Sequence, residues 1–320
     1  MRREFSVNRV LSRFFTPIEL LSFHYLQSKT EMFISGSTAL QFFDRTNYPQ
    51  SDLDLYVEHK FRVNIVTWLM SIGYQFQLRK GYSSLAEQLD FNWGDPDPSI
   101  SASNPFFESK SNGYFGRGVA NVYNFFKYNP EHKIQLITSN HSPLEVVLNF
   151  HSSIVVPFYL LATFSNAFSL ACVMNIITHN KAYSFYPKAT FEERNSLMIS
   201  TEGSKQDTAR AKYVSRGWSM ITSPSLAELS NPRSPFSPAK RYVGDSLCWT
   251  IPLRHQPDSH LPEGFIETNT WALKYNPEYI PAMSFQVLLT DSLDFSYLVV
   301  DNSLADYLWP FICPTEVRKE

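Results

Sequence analysis

The chain has 320 residues, enough for one large domain or two ordinary ones, and its apolar and charged fractions, 43% and 18%, are those of a globular protein. A formal net charge of −2 excludes a global field that would recruit nucleic acid or an acidic membrane, so either would need a local patch. The three cysteines, Cys172, Cys248 and Cys313, are odd in number and widely spaced; this argues against a disulfide framework or zinc cluster and suits a reducing, intracellular compartment, cytoplasmic or nuclear.

The N-terminal stretch MRREFSVNRVLSRFF is basic and amphipathic, but it lacks the apolar core and cleavage site of a secretory signal. Glu4 also interrupts the pattern of a mitochondrial presequence. Thr16-Pro17-Ile18-Glu19 then predicts a helix start, with Thr as cap, Pro at the first helical position and Glu three residues after the cap. Leu20, Leu21 and Tyr25, with Phe23, make the expected apolar side, and the helix should end near Ser28.

Met32–Ser35 reads as a short buried strand, Gly36-Ser37 as a turn and Thr38–Phe43 as a helix of about one and a half turns. After a loop at 47–50, Ser51–Glu58 reads as a second strand. Asp52 and Asp54 are two apart on it, so both carboxylates project to one face while Leu53, Leu55 and Val57 face the other way. Such a pair repels unless a divalent cation, a shared proton or a basic partner neutralises it. A solvated strand face is the plain alternative.

Phe61, Ile65, Trp68, Leu69 and Ile72 recur at helical spacing, and Gly73 is placed to stop that helix. Tyr74–Leu78 alternates as a strand. Residues 80–117 read as a long loop whose aromatics (Tyr82, Trp93, Phe106, Phe107, Tyr114 and Phe115) anchor it to the core. Val119–Lys127 and Lys133–Thr138 read as a hairpin, and Ser142-Pro143-Leu144-Glu145 as another helix start.

No Asp, Glu, Lys or Arg occurs between Glu145 and Lys181. Within that span Ile154–Ala171 has the length and polarity of a membrane segment, but Pro157, Ser165, Asn166 and Ser169 dilute it and no basic cluster flanks it. A buried helical pair is the plainer expectation. Thr190-Phe191-Glu192-Glu193 predicts a helix through Ile199, and Asp207–Arg216 a short helix closed by Gly217. The nearby basic run Lys205, Arg210, Lys212 and Arg216 reads as a solvated helix face rather than a phosphate patch. Seven prolines in 223–262 suggest a loop or linker, followed by a strand-rich part at 263–320. The histidines, including His24, His59, His132, His141, His151 and His179, show no metal-ligand spacing.

An apolar strand, Gly-Ser, a helix and then Asp-x-Asp on a strand resemble the nucleotidyltransferase superfamily, which includes DNA polymerase beta, CCA-adding enzymes and aminoglycoside nucleotidyltransferases. Ile34-Ser35-Gly36-Ser37 matches its apolar–x–Gly–Gly/Ser turn, and Ser51-Asp52-Leu53-Asp54-Leu55 its Ser-Asp-Ile-Asp-Leu strand. The resemblance implies an α/β (α+β) fold, a mixed sheet flanked by helices at about 15–150. A helical middle part at 151–222 would follow, with a candidate insertion at 154–171.

It further implies Mg²⁺-dependent transfer of a nucleotidyl group from an NTP to a hydroxyl acceptor. Asp52 and Asp54 would be the catalytic metal ligands, and Gly36 and Ser37 would bind the triphosphate. Active members carry a third carboxylate on a later strand. Here Ile134 and Leu136 point to the core, which leaves Gln135 at that position, and a neutral amide is a poor metal ligand or base. The departure points to a catalytically inactive descendant that binds nucleotide or a protein partner. A membrane anchor through 154–177 is a further alternative.

Ser142-Pro143-Leu144-Glu145, His151-Ser152-Ser153, Cys172-Val173-Met174-Asn175 and Tyr186-Pro187 look like a group of uncharacterised fungal proteins related to nucleotidyltransferases. In those proteins the His-Ser-Ser/Thr runs almost directly into Cys-Val-Met-Asn, which makes 154–171 an insertion. A retained intron translated in the gene model would account for it.

Overall fold

A computed structural model describes residues 5–78, 83–90, 118–128, 131–149, 170–199, 210–253, 266–288 and 293–300. The chain opens with two helices, α1 (Val7–Leu11) and α2 (Pro17–Thr30). The capping box of α2 forms as expected: Thr16 N donates to the Glu19 carboxylate at 2.6 Å, and Glu19 N donates to Thr16 Oγ1.

The buried side of α2 differs from the expected one. Leu20, Phe23, His24 and Gln27 face inward, whereas Leu21 and Tyr25 are 73% and 56% exposed. The inward set follows the i, i+3, i+4, i+7 stripe. Gln27 is taken inside because its amide nitrogen donates to the carbonyls of Met32 and Ile177, and Phe23 stacks on Phe15 at 4.9 Å. The helix continues to Thr30, where Glu31 adopts a left-handed backbone with φ 52°.

Next come β1 (Phe33–Ser35), α3 (Gly36–Asp44), β2 (Leu53–Glu58), α4 (Arg62–Ser71), β3 (Gln75–Gln77) and α5 (Leu85–Asp90). They are followed by β4 (Val119–Lys127), β5 (His132–Ser139) and α6 (Pro143–Asn149). Beyond them lie β6 (Asn175–Ile177), β7 (Lys181–Ser184), β8 (Asn195–Leu197), α7 (described over 210–214), β9 (Ser219–Ile221) and α8 (Leu226–Ser230). The remaining strands are β10 (Lys240–Tyr242), β11 (Trp249–Pro252), β12 (Thr270–Tyr275), β13 (Pro281–Ser284), β14 (Gln286–Leu288) and β15 (Tyr297–Val299).

The result is a mixed α/β fold around an eight-stranded sheet, ordered β11-β7-β6-β1-β2-β5-β4-β3. Every pairing in it is antiparallel except β2 with β5. One face carries Ile34, Leu55, Leu136 and Tyr123 and packs against Leu11, Phe23, Ile65 and Leu69 of α1, α2 and α4. The other carries Phe33, Tyr56, Ile137 and Val122 and packs with Leu144 and Val147 of α6 and with Trp271, Leu273 and Leu298 from the C-terminal strands. Burial on both faces explains why the central strands carry apolar residues on both sides.

In its described residues the middle part is helical only at α7 and in short turns, and most of it is strand and loop. β6 and β7 form a hairpin that extends the main sheet beyond β1, closed where Thr178 Oγ1 accepts from Lys181 N at 3.1 Å. The pattern around Thr190 likewise fails to nucleate a helix through Ile199. Lys188–Glu192 makes one π-type turn, Arg194 at φ 55° redirects the chain, and β8 then pairs in parallel with β9. Thr190 is buried there, with its carbonyl accepting from Trp218 Nε1 at 2.9 Å.

Within 223–262, β11 pairs with β7 as the edge of the main sheet, and the buried Phe236 accepts at its carbonyl from the Tyr275 hydroxyl at 2.7 Å. Among the described residues no helix is long and apolar enough to cross a membrane. Of the stretch 154–177, residues 154–169 lie outside the described residues, and the rest form a 3-10 turn (Ala171–Val173) and β6. The aromatics singled out between 82 and 115 also lie outside them.

Candidate functional site

The register of the sheet assembles the site. Ser35 of β1 pairs with Asp54 of β2, Asp54 with Gln135 of β5, and Gln135 with Asn124 of β4. One polar row therefore crosses four adjacent strands. The neighbouring row on the same face is apolar: Phe33, Tyr56, Ile137 and Val122. The side-chain period of two puts Asp52 on the Asp54 side, just before β2 begins.

Gly36 starts α3 with φ +66°, and a Cβ there would collide with the Asp54 carboxylate. Glycine is thus required twice, by backbone conformation and by the close approach of Asp54. Ser37 follows it, 6% exposed. Thr38 Oγ1 donates to the Asp52 carbonyl at 2.8 Å and ties α3 to the start of β2. The loop between them is fastened by Arg13, which donates to the carbonyls of Tyr48 at 2.9 Å and Ser51 at 3.2 Å. Gln41 donates to Ser51 Oγ and accepts from Tyr48 N.

Asp54 and Gln135 are each only 5% exposed, while the side chains of Asp52 and Lys133 are 19% and 22% exposed. Lys133 Nζ donates to Asp52 Oδ2 at 2.9 Å. With the Gln135 amide oriented to match its neighbours, its nitrogen donates to Asp54 Oδ1 at 3.2 Å and its oxygen accepts from Lys133 Nζ at 3.1 Å. Burial pushes the Asp54 carboxyl up to about 7; the Asp52 charge adds to this, and Lys133 and Lys212 oppose it.

Lys212 lies half-buried on α7. Burial and then Arg216 lower its pKa, while Asp54 and Asp52 raise it. The expectation of a wholly solvated basic face at 205–216 is therefore corrected: Lys212 acts on the aspartates, and Arg216 stacks over the Tyr48 ring at 3.8 Å. Lys205 lies outside the described residues. Burial lowers the Arg13 pKa and Asp52 raises it. Three cationic side chains (Lys133, Lys212 and Arg13) thus act on the aspartates. Lys133 was legible in principle, because it is two residues from Gln135 on the same strand face. Lys212 belongs to the basic run at 205–216 already visible in the sequence, but nothing local ties that run to the aspartates, and nothing local marks Arg13.

Mg²⁺ is the group that the sequence resemblance implies. The carboxylates of Asp52 and Asp54 are hard oxygen donors of the kind it takes. The rest of the donor set disagrees. The in-register neighbour of Asp54 is an amide, and an ammonium already bonds Asp52 and the Gln135 oxygen. Among the described residues no three His, Cys, Asp or Glu side chains gather in a way that could hold a metal. The residues present do not fit a two-metal centre.

The histidines take other places. His59 Nδ1 bonds Thr138 Oγ1 at 2.9 Å, His141 pairs with Glu145 at 3.2 Å, and His24 bridges Asn8 and Gln27. Compared with models of protein families, with curated proteins and with solved structures, the chain matches none.

Proposed function

We propose that this chain is a nucleotidyltransferase-like protein that binds a nucleoside triphosphate without transferring its nucleotidyl group. The observation that carries this reading is Gln135, in register with Asp54 and hydrogen-bonded to it. In transferring members a carboxylate would stand there; an amide cannot take a proton from an acceptor hydroxyl. What remains suits phosphate binding: a Cβ-free approach at Gly36, the first amides of α3 and cationic side chains at Lys133 and Lys212.

Calorimetric titration with ATP, CTP, GTP and UTP tests the reading, with pyrophosphate release measured in parallel. Binding of at least one nucleotide is expected, weakened about tenfold in Lys212→Ala, with no pyrophosphate released. Absence of binding for all four removes the nucleotide reading. Asp54, held near neutrality, favours a second reading in which it accepts the proton of an acceptor hydroxyl. Pyrophosphate release by the wild type, lost in Asp54→Asn, would decide for that one.

A further inference from the structure

We infer that Lys133 is a built-in cation, taking the place beside Asp52 and Asp54 that a divalent ion would take, so that polyphosphate binds here without divalent metal. The inference rests on the nucleotide-binding reading and specifies the charge that the bound phosphates meet.

The network is closed. Lys133 Nζ reaches Asp52 Oδ2 at 2.9 Å and the Gln135 amide oxygen at 3.1 Å, and the Gln135 nitrogen reaches Asp54 Oδ1 at 3.2 Å. Asn124, next in the row, lies 2.8 Å from that same amide oxygen and donates to it once its own amide is turned to match. The ammonium thus donates to oxygen acceptors where a metal ion would take oxygen ligands, and it is linked through Gln135 to the second carboxylate. Gln135 and Lys133 belong together. An amide in the row leaves two aspartate charges to neutralise rather than three carboxylate charges, and Lys133 and Lys212 are the lysines that act on both aspartates. A dication arriving at Asp52 would have to displace Lys133 first and would then face its like charge.

Lys133 is not sealed in. Its side chain is 22% exposed, which leaves it open to an anion arriving from solvent. A tethered ammonium also needs no recruitment from solution, so the positive charge is present at any metal concentration.

Binding of inorganic tripolyphosphate and of ATP to the full chain, measured by calorimetry in EDTA and in Mg²⁺, tests this. The wild type is expected to bind in EDTA within about threefold of its Mg²⁺ affinity. Lys133→Met should lose about tenfold or more in EDTA and recover in Mg²⁺, because the metal then finds Asp52 and Asp54 unguarded. Gln135→Glu, a second variant that keeps the lysine, should make binding depend on Mg²⁺ by restoring a third carboxylate. Wild-type binding that appears only with Mg²⁺ overturns the inference and leaves the nucleotide reading standing. So does Lys133→Met binding that matches wild type in EDTA, or a Gln135→Glu variant that stays indifferent to metal. No binding of either probe in either medium overturns both.

Discussion

Replacing Asp54 with asparagine is expected to stabilise the protein above neutral pH and to change little in acid. Burial, then the charge of Asp52, raises the Asp54 carboxyl from 3.8 to about 7. Between those values the folded chain holds a proton that the unfolded chain has released. The native state then binds more protons, so stability falls as pH rises through the window and levels off above it. Three units at about 1.36 kcal/mol each set a ceiling on the order of 4 kcal/mol for the penalty at pH 8. Asparagine keeps an oxygen for the Gln135 donor but loses the attraction of Lys133 and Lys212, so the expected gain is smaller, about 1–3 kcal/mol. Urea denaturation of both proteins at about pH 4, 6 and 8 measures the difference directly. The gain should be near zero at the lowest pH and largest at the highest. A loss of stability at all three, or a difference that does not vary with pH, would show that Asp54 is an ordinary ionised, paired carboxylate.

Gly36→Ala places a Cβ against the Asp54 carboxylate on a left-handed backbone and should cost about 1–3 kcal/mol, read as a lower urea midpoint; an unchanged midpoint would deny the close approach. On α2, Phe23→Ala should cost about 3–5 kcal/mol, because the ring is fully buried between Phe15 and Trp68. Leu21→Ala on the exposed side should stay within about 0.5 kcal/mol, and a reversed order would restore the stripe expected from hydrophobicity alone.

Much of the site was legible because it depends on short-range geometry. The alternation of Asp52, Leu53, Asp54 and Leu55 fixes which side chains share a face before any partner strand is known. The same rule turns Gln135 away from Ile134 and Leu136, and the structure sets it in register with Asp54. The cap at Thr16 and the strand–glycine–helix order at 33–44 are equally local, set by backbone hydrogen bonds within a few residues.

Longer-range features were not legible. The inward face of α2 is decided by Gln27, whose amide is needed by the carbonyls of Met32 and Ile177, the latter on β6 far along the chain. The Thr190 pattern has the residues of a helix start but lies where a buried turn and β8 are required. The hairpin of β6 and β7 carried a signal in Ile176-Ile177 and Ala182-Tyr183 around the turn at Thr178–Lys181, but only pairing with β1 makes it part of the main sheet. The sequence by itself determined which residues face the site. Tertiary structure alone decided which charges meet them, because the pKa of Asp54 and the placement of Lys133 and Lys212 depend on burial and on segments brought together from distant parts of the chain.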